Sequence, residues 1–388
     1  GVTANNVANV NTTGFKMSRA QFGEVFAVGT QSVSSSAAGS GVRLSAIAQQ
    51  FTQGNIDFTD NALDLAIGGE GFFVLNDNGA RTYSRAGAFG VDNQGNVVNA
   101  TGARLQAYPY AGNGLFNTGT PQDLQLTIGA SPPAATTRAE LGINLPADAP
   151  LPTNPVFDPL DPSSFNHTTS VTVYDSLGAA HTATVYFIKD AVPNTWTTEI
   201  EIDGSPVTGA TPVVFNPDGT LSTPAGGLMP LGAFTPGTGA SPITMSLDFG
   251  TATQFGDNFG VNSLSQDGFT TGRLTGVSVD AEGVVFARFT NGQSTSLGKL
   301  ALANFVNPQG LQQLGDTTWG ESFQSGDALL GEAGTASFGN IQSGALESSN
   351  VDLTAQLVQM ITAQRNFQAN AQMISTADTI TQTVINIR

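Results

Sequence analysis

The last 44 residues of the chain, Ala345–Arg388, contain neither glycine nor proline, although the sequence has 46 glycines and 19 prolines. The residues that most often end or kink a helix are therefore absent from this stretch. Apolar residues recur there at every seventh position, the spacing of a coiled-coil seam: Leu353, Met360, Phe367 and Ile374. The pattern predicts one long helix, about 55 Å from residue 350 to residue 386 at 1.5 Å per residue. A helix of that length needs a partner outside its own core.

The start of this helix also has a sequence signal. Ser349 and Asp352 have the spacing of a capping box, and Leu357 lies beside the heptad positions. Heptad spacing alone fits an ordinary core helix equally well. The length without glycine or proline favours a helix used in assembly.

Composition and charge exclude several classes of function. The chain has 30 acidic and 13 basic residues, a net charge of −17, which disfavours binding to nucleic acid or to an anionic membrane. It has no cysteine, which excludes disulfides and thiolate metal sites. No apolar run approaches the roughly 18 residues of a membrane span, and no cleavable signal is visible. The sequence begins at Gly1 without methionine, and we expect further residues upstream.

The N-terminal stretch resembles the end of a helix. Val2, Val7 and Val10 lie on one helical face, and Gly14 follows as a terminator would. The small residues of Ala27–Gly41 predict a hinge with little to bury.

Short β segments begin near Asp57 and are punctuated by turns. We predict strands over residues 63–67, 71–75, 81–84 and 104–108. Asp92–Gly95, Asp175–Gly178 and Asp280–Gly283 begin with Asp and end with Gly, as type I turns closed by a left-handed residue do. Asn291-Gly292 predicts a hairpin between strands at 284–290 and 294–305. These signals indicate an antiparallel β protein.

The middle of the chain differs in composition. Eighteen of the 19 prolines lie between Pro109 and Pro242, and residues 105–272 hold 14 acidic residues against Arg138 and Lys189. Strands are predicted there at 170–175, 182–188 and 196–202. We interpret this stretch as an inserted domain. The predicted fold is mixed α and β: a terminal α-helical coiled-coil segment plus two β-rich domains, the outer one inserted in the inner one.

Candidate chemical sites are weak. The turns lack the ligand pattern of calcium loops, and His167 and His181 are too isolated for a metal site or for a triad with Ser176 and Asp175. Glu199 and Glu201 share a strand face but are better read as solvated charges than as a glycosidase pair. Gly69-Glu-Gly71 lacks the third glycine of a dinucleotide loop. We predict no catalytic, cofactor-binding or metal residues.

Several stretches carry a family resemblance that spans nearly the whole chain. A-N-N-V-A-N-V-N-T-T-G-F-K at Ala4–Lys16 and the run at Gly344–Gln372 are similar to the ends of flagellar rod and hook proteins. Three internal stretches, Ile67–Leu75, Val171–Phe187 and Leu297–Leu311, resemble the hook proteins among them. The sequence is therefore identified as a member of the bacterial flagellar hook proteins, which have additional helical residues before the position of Gly1.

The resemblance implies a non-enzymatic subunit without cofactors. It would polymerise into a curved hollow tube that joins rod to filament, transmits torque and has a central export channel. The implied domains are 1–26 and 346–388 (terminal, helical), 27–60 (flexible linker), 61–145 and 273–345 (β-rich middle) and 146–272 (acidic β-rich outer). The implied subunit-assembly residues are Asn5, Asn6, Ala8, Asn9, Thr12, Gly14, Phe15, Lys16, Leu353, Leu357, Met360, Gln364, Arg365, Asn366, Phe367 and Ile374.

The resemblance also implies partners and a location. The partners are other copies of the chain, the distal rod protein, the hook-filament junction protein, the hook cap, the hook-length control protein and the flagellar type III export apparatus, with no nucleic acid and no membrane insertion. The location is extracellular, in the hook outside the outer membrane or cell wall, reached without a cleaved signal peptide. The alternatives are a distal rod or other axial subunit, a secreted polysaccharide-acting enzyme, and an adhesin.

Overall fold

The computed structural model describes residues 1–25, 41–126, 129–335 and 337–386. These residues form two compact units. Unit 1 comprises the described residues of Gly1–Ile128, Gly276–Arg288 and Ser294–Arg388, and unit 2 those of Gly129–Thr275 and Phe289–Gln293. Both units are rich in strands, and helices are few, so the β-rich character predicted from the sequence is confirmed.

The first part of the chain contains α1 (Val2–Ala8), β1 (Ser18–Glu24), β2 (Val42–Gln49), β3 (Ile56–Phe58), β4 (Leu65–Gly68), β5 (Phe72–Asp77), β6 (Ala80–Ser84), β7 (Gly90–Val91), β8 (Val97–Val98), β9 (Arg104–Gly112), β10 (Leu115–Phe116) and β11 (Gln122–Asp123). The middle contains β12 (Arg138–Pro146), β13 (His167–Tyr174), β14 (Ala180–Lys189), β15 (Thr195–Ile202), β16 (Ser205–Phe215), β17 (Leu221–Thr223), β18 (Leu228–Pro230), β19 (Ser246–Asp248), β20 (Thr253–Phe255) and β21 (Gly260–Gln266). The last part contains β22 (Leu274–Val279), β23 (Val284–Phe289), β24 (Ser294–Asn304), β25 (Gln312–Gly315), β26 (Thr318–Gly320), β27 (Leu329–Glu332), β28 (Asn340–Ser343), β29 (Ala345–Glu347) and α2 (Leu353–Asn386), and two 3-10 turns lie at Ala225–Gly227 and Pro308–Gly310.

Unit 1 is built on one large antiparallel sheet with the strand order β22-β23-β24-β9-β5-β6-β26-β25. Successive side chains of a strand point to opposite faces. On β5, Phe73 and Leu75 therefore enter one buried cluster, while Phe72 and Val74 enter a second, aromatic cluster with Trp319. The sheet thus has a core on each face.

Unit 2 has two five-stranded sheets, one with the order β13-β14-β15-β16-β17 and one built on β18-β19-β12-β20 with β21 against β12. A single core, centred on the fully buried Trp196, receives side chains from both sheets. The predicted strands at 170–175, 182–188 and 196–202 are confirmed as β13, β14 and β15, which pair antiparallel.

The predicted turns are confirmed. Gly95, Gly178 and Gly283 have φ values of 86°, 82° and 81°, in the left-handed region that favours glycine. Each of the three turns is closed by a hydrogen bond from the glycine N–H to the carbonyl oxygen of its Asp. The hairpin at Asn291-Gly292 joins β23 to β24 as predicted.

The predicted bounds of the C-terminal helix need correction. Residues 345–347 form β29, which pairs with β3 and buries Ala345 and Glu347, and α2 begins only at Leu353. The predicted capping box is wrong, because Asp352 itself caps the helix and its Oδ1 accepts the Ala355 N–H at 3.1 Å. α1 likewise ends at Ala8, well before Gly14.

The predicted flexible linker over residues 27–60 is wrong for the part that the structure describes. β2 pairs with β1 along its whole length, and β3 pairs with β29. The alternation of apolar and polar side chains in V-R-L-S, at the start of V-R-L-S-A-I-A-Q, favours a strand. The small residues before it had suggested a hinge instead. Residues 27–40 of the predicted hinge lie outside the described residues.

Candidate assembly surface and chain-end junction

The two ends of the chain meet at a buried ion cluster in unit 1. Lys16 Nζ lies 2.6 Å from Glu347 Oε1, and Arg85 lies 3.4 Å from Glu347 Oε2. The side chains of Lys16 and Glu347 are 0 % exposed and that of Arg85 is 4 % exposed. One carboxylate therefore balances two buried cations from different parts of the chain.

Backbone groups complete this cluster. Lys16 Nζ donates to the Thr52 carbonyl oxygen at 2.8 Å, and the Gly54 N–H donates to Glu347 Oε1 at 2.8 Å. Burial lowers the pKa of Lys16 and that of Arg85, against the opposing attraction of Glu347. The Arg85 guanidinium also lies 5.3 Å from the centre of the Phe72 ring, while its Nε has no hydrogen-bond partner. Glu347 is the group that makes burial of these cations tolerable.

Amide side chains tie the same segments together. Asn6 Oδ1 accepts the Ser18 N–H at 3.0 Å, and its Nδ2 donates to Gln356 Oε1 on α2 at 3.2 Å. Asn350 Oδ1 accepts the Met17 N–H at 2.7 Å, and its Nδ2 donates to the Gln50 carbonyl oxygen at 2.8 Å. α1, β1 and the start of α2 are therefore held as one junction.

The predicted N-terminal assembly residues divide into two groups. Asn6, Gly14, Phe15 and Lys16 are buried against their own chain, whereas Asn5 and Ala8 are exposed and Asn9 and Thr12 are half-buried. The four buried residues hold the junction within the single chain. Direct contact with another subunit stays a prediction for all eight residues.

The predicted C-terminal assembly residues lie on a helix that is mostly uncovered. Leu353 and Leu357 are each 43 % exposed, Phe367 is 75 % exposed and Ile374 is 66 % exposed. Gln364, Arg365 and Asn366 are exposed, and Met360 is half-buried beside Gly1 and Ala4 of the α1 segment. Every side chain from residue 361 to residue 383 is exposed. From residue 361 onward, the apolar residues of α2 thus form a stripe that is exposed in the single chain.

Sequence reasoning missed Glu347, Arg85 and Asn350. Glu347 and Asn350 lie within the Gly344–Gln372 run, but nothing local marks them as partners of Lys16 and Met17, more than 330 positions earlier. One local signal could have pointed to Glu347: it is a single charged residue within the uncharged stretch G-A-L-E-S-S-N-V.

Unit 2 contains a buried histidine between two carboxylates. His181 is 8 % exposed, with Nδ1 at 2.6 Å from Asp203 Oδ2 and Nε2 at 3.3 Å from Asp175 Oδ2. Burial alone lowers the pKa of His181, but the hydrogen bonds and charges of Asp203 and Asp175 outweigh it and raise the pKa above its ordinary value. Ser176 instead accepts the Ser241 N–H, so this cluster is not a catalytic triad.

The raised pKa of His181 predicts that unit 2 loses stability as the pH rises. The contribution is fully present below the unfolded pKa of about 6.5 and is lost as the pH passes through the folded pKa, by at most about 1.4 kcal/mol per pH unit for one proton. Urea unfolding of a Trp319→Phe variant, followed by Trp196 emission between pH 6 and 9, measures it. His181→Asn should remove this decline; an unchanged decline would assign it to other groups. His167, whose pKa is lowered by burial, acts in the opposite direction.

The described residues hold no group of three or more His, Asp or Glu side chains suited to a metal ion. Within the same residues, no helix is both long and apolar enough to cross a membrane.

Comparison with known proteins decides the family. The Flagellar hook protein FlgE/F/G D1 domain matches residues 66–151, the Flagellar basal body protein FlaE D2 domain matches 144–269, and the Flagellar basal body rod FlgEFG protein C-terminal region matches 342–387. The Flagellar hook protein FlgE of Escherichia coli (strain K12) is 40% identical over 406 residues, covering 100% of this chain and 96% of that protein. The chain belongs to the flagellar hook protein family.

Other hook proteins agree. FlgE of Salmonella typhimurium (strain LT2) is 39% identical over 407 residues, and FlgE of Borreliella burgdorferi is 33% identical over 426 residues; each match covers 100% of this chain, with 96% and 95% of the relative. The crystal structure of the Helicobacter pylori flagellar hook protein FlgE2 shares the fold, with a TM-score of 0.56 at 14% identity, over 75% of this chain and 100% of that chain.

As a hook protein, the chain is a structural subunit of the bacterial flagellum and not an enzyme. The family resemblance predicted from the terminal and internal motifs is confirmed. Self-association and an extracellular place in the flagellum follow from the family, and the enzyme alternative is set aside.

Proposed function

We propose that the chain assembles through its terminal segments into a curved hollow tube that couples rod to filament and transmits torque. The apolar stripe on α2 carries this proposal, because exposed apolar area of that extent favours association. Only the first turns of α2 lie beside α1, so the rest of the stripe would be covered by helices of neighbouring copies, as in a coiled coil. A contact between two different surfaces of identical subunits adds copies one after another, and it produces a helical polymer when the copies do not close into a ring.

The proposed domain plan follows the same logic. Residues 1–26 and 346–388 would form the inner tube, 61–145 and 273–345 the middle domain, and 146–272 an acidic outer domain inserted in the middle one. The compact unit 2 at residues 129–275 supports an insertion, although its bounds differ from those predicted. The ordered β2 and β3 would belong to the inner domains rather than to a linker.

The remaining proposals concern place and partners. The hook would lie outside the outer membrane or cell wall, and its subunits would be exported through the type III apparatus and a central channel without a cleaved signal peptide. The distal rod protein, the junction protein, the hook cap and the length-control protein would be its partners in assembly. The length and motifs shared with hook proteins favour the hook over a distal rod subunit or an adhesin.

Phe367→Ser together with Ile374→Ser should abolish tube formation without changing the folding of the single chain. Both side chains are more than 60 % exposed before assembly, so the monomer loses little when they become polar. Electron microscopy of concentrated protein tests for tubes, and urea unfolding followed by Trp319 tests the fold. Leu115→Ser, at 67 % exposed on the middle sheet, is the matched control. Tubes from the double variant at the wild-type concentration would contradict the proposal.

A further inference from the structure

Two neighbouring loops of unit 1 carry strongly exposed apolar side chains. Phe323, after β26, is 104 % exposed, and Val306, after β24, is 83 % exposed. We name the two residues the knob. The exposed pair is a candidate contact surface.

Hydrogen bonds join the two loops beneath the knob. Asn307 Nδ2 donates to the Gln324 carbonyl oxygen at 2.9 Å, and the Ser322 N–H donates to Ser325 Oγ at 2.9 Å. Ser325 is 1 % exposed, and the Ser322 hydroxyl donates to the Gly310 carbonyl oxygen. A side chain on Gly310 would lie 2.5 Å from the backbone of Gln324, so the two loops are in close contact. The two loops are therefore joined directly beneath the knob.

A second uncovered apolar surface lies on the β1–β2 ribbon. Phe22 is paired with Leu44, Ala20 with Ile47, and Glu24 with Val42, so these residues share one face. Phe22 is 67 % exposed, Val42 71 %, Leu44 53 % and Ile47 55 %. Among the described residues, β1 and β2 form a sheet of two strands alone, which cannot bury both of its faces by itself. We name these four residues the ribbon face.

We propose that the knob of one copy packs on the ribbon face of a second copy. This inference rests on the proposed polymer. A contact that extends a polymer needs two different complementary surfaces on the same chain, whereas a knob meeting a knob would close as a dimer. At a net charge of −17, contact between copies is least unfavourable where the side chains that meet are uncharged. The two knob residues and the four ribbon-face residues are uncharged, and Glu24 lies at the end of the same face, opposite Val42. Both lie in unit 1, and Phe22 lines the same cavity as Gln356 and Gln359 of α2, so the ribbon face borders the helix contacts.

The absence of cysteine allows a direct test by cross-linking. Phe22→Cys and Phe323→Cys are introduced together, tubes are formed, and a short bismaleimide is added before denaturing electrophoresis. The knob-to-ribbon contact predicts a ladder of dimers, trimers and higher multimers, because each copy carries both cysteines. Either single variant should remain monomeric. Phe22→Cys with Leu115→Cys, which places the second cysteine at another exposed apolar site, should give no ladder.

The outcomes separate the contact from the polymer. Tubes without a ladder would overturn the contact and leave the proposed function standing, and dimers from Phe323→Cys alone would replace it with a knob-to-knob contact. A second measurement serves if the double variant forms no tubes: Phe323→Ser should raise the protein concentration needed for tubes at least tenfold, with Trp319 unfolding unchanged. If Phe323→Ser forms tubes at the wild-type concentration, the proposed contact is overturned. If tubes are lost only when Phe367 and Ile374 of α2 are replaced by Ser, assembly depends on the helices alone.

Discussion

Glu347→Gln is expected to lower the free energy of unfolding of unit 1 by about 3–5 kcal/mol, the cost of removing one partner from a buried ion cluster. The substitution keeps the size of the side chain but leaves Lys16 and Arg85 as uncompensated buried cations. Urea unfolding followed by Trp319 emission, in a Trp196→Phe background, reports on unit 1 alone, because Trp196 lies in the core of unit 2.

Two comparisons make this result specific. Glu332→Gln breaks a more accessible pair, in which Lys299 is 11 % and Glu332 27 % exposed, and should cost only about 1 kcal/mol or less. Replacing Lys16, Arg85 and Glu347 together by Met should recover much of the loss, since packed apolar groups can substitute for a buried ion cluster. A loss below 1 kcal/mol for Glu347→Gln would mean that water or another anion reaches the cations.

Gly14→Val is expected to cost about 2–5 kcal/mol and to release the N-terminal segment. Gly14 has φ = 69°, where a side chain costs roughly 1–2 kcal/mol, and overpacking adds about 1–3 kcal/mol. A Cβ would lie 2.4 Å from the backbone nitrogen of Ala86, so the backbone itself must move. The hydrogen bond from the Gly14 N–H to the Glu347 carbonyl oxygen, 2.7 Å long, would be lost with it.

A control variant separates the cost of the left-handed backbone conformation from the cost of the steric clash. Gly114 has φ = 76° and nothing within 4 Å of a Cβ, so Gly114→Val should show the conformational cost alone. Limited proteolysis near residue 17 should cut Gly14→Val faster than the wild type, in addition to the shift in urea unfolding. Equal stability of the two glycine variants would show that the approach to Ala86 is easily relaxed.

The strands and turns were predictable because their causes are local. Alternation marks β13 to β15, and glycine at the last position of each Asp turn supplies the left-handed residue that the turn requires. The long helix was predictable for a similar reason, since nothing in α2 interrupts it. Family motifs then supplied the function, which spacing and composition could not.

The errors have non-local causes. β29 lies in a stretch with no helix breaker, but its pairing with β3 near the other end of the chain decides its conformation. The start of α2 follows from that pairing rather than from the predicted cap. The role of Lys16 likewise depends on Glu347, 331 positions later. Before the structure, Lys16 was only an assembly residue implied by the family resemblance, with no partner within the chain.

The pairing of the chain ends also sets an order of events. The Ser343 hydroxyl donates a hydrogen bond to the Ala62 carbonyl oxygen, 281 positions earlier. Lys16 can form its ion pair only after Glu347 has emerged. A chain that emerges N-terminus first can therefore complete most of unit 2 while unit 1 is still open. Unit 1 closes only when the residues just before α2 arrive. Under the proposed assembly through α2, unit 1 would close at nearly the same time as α2 becomes available, so a half-emerged chain would have little opportunity to polymerise too early.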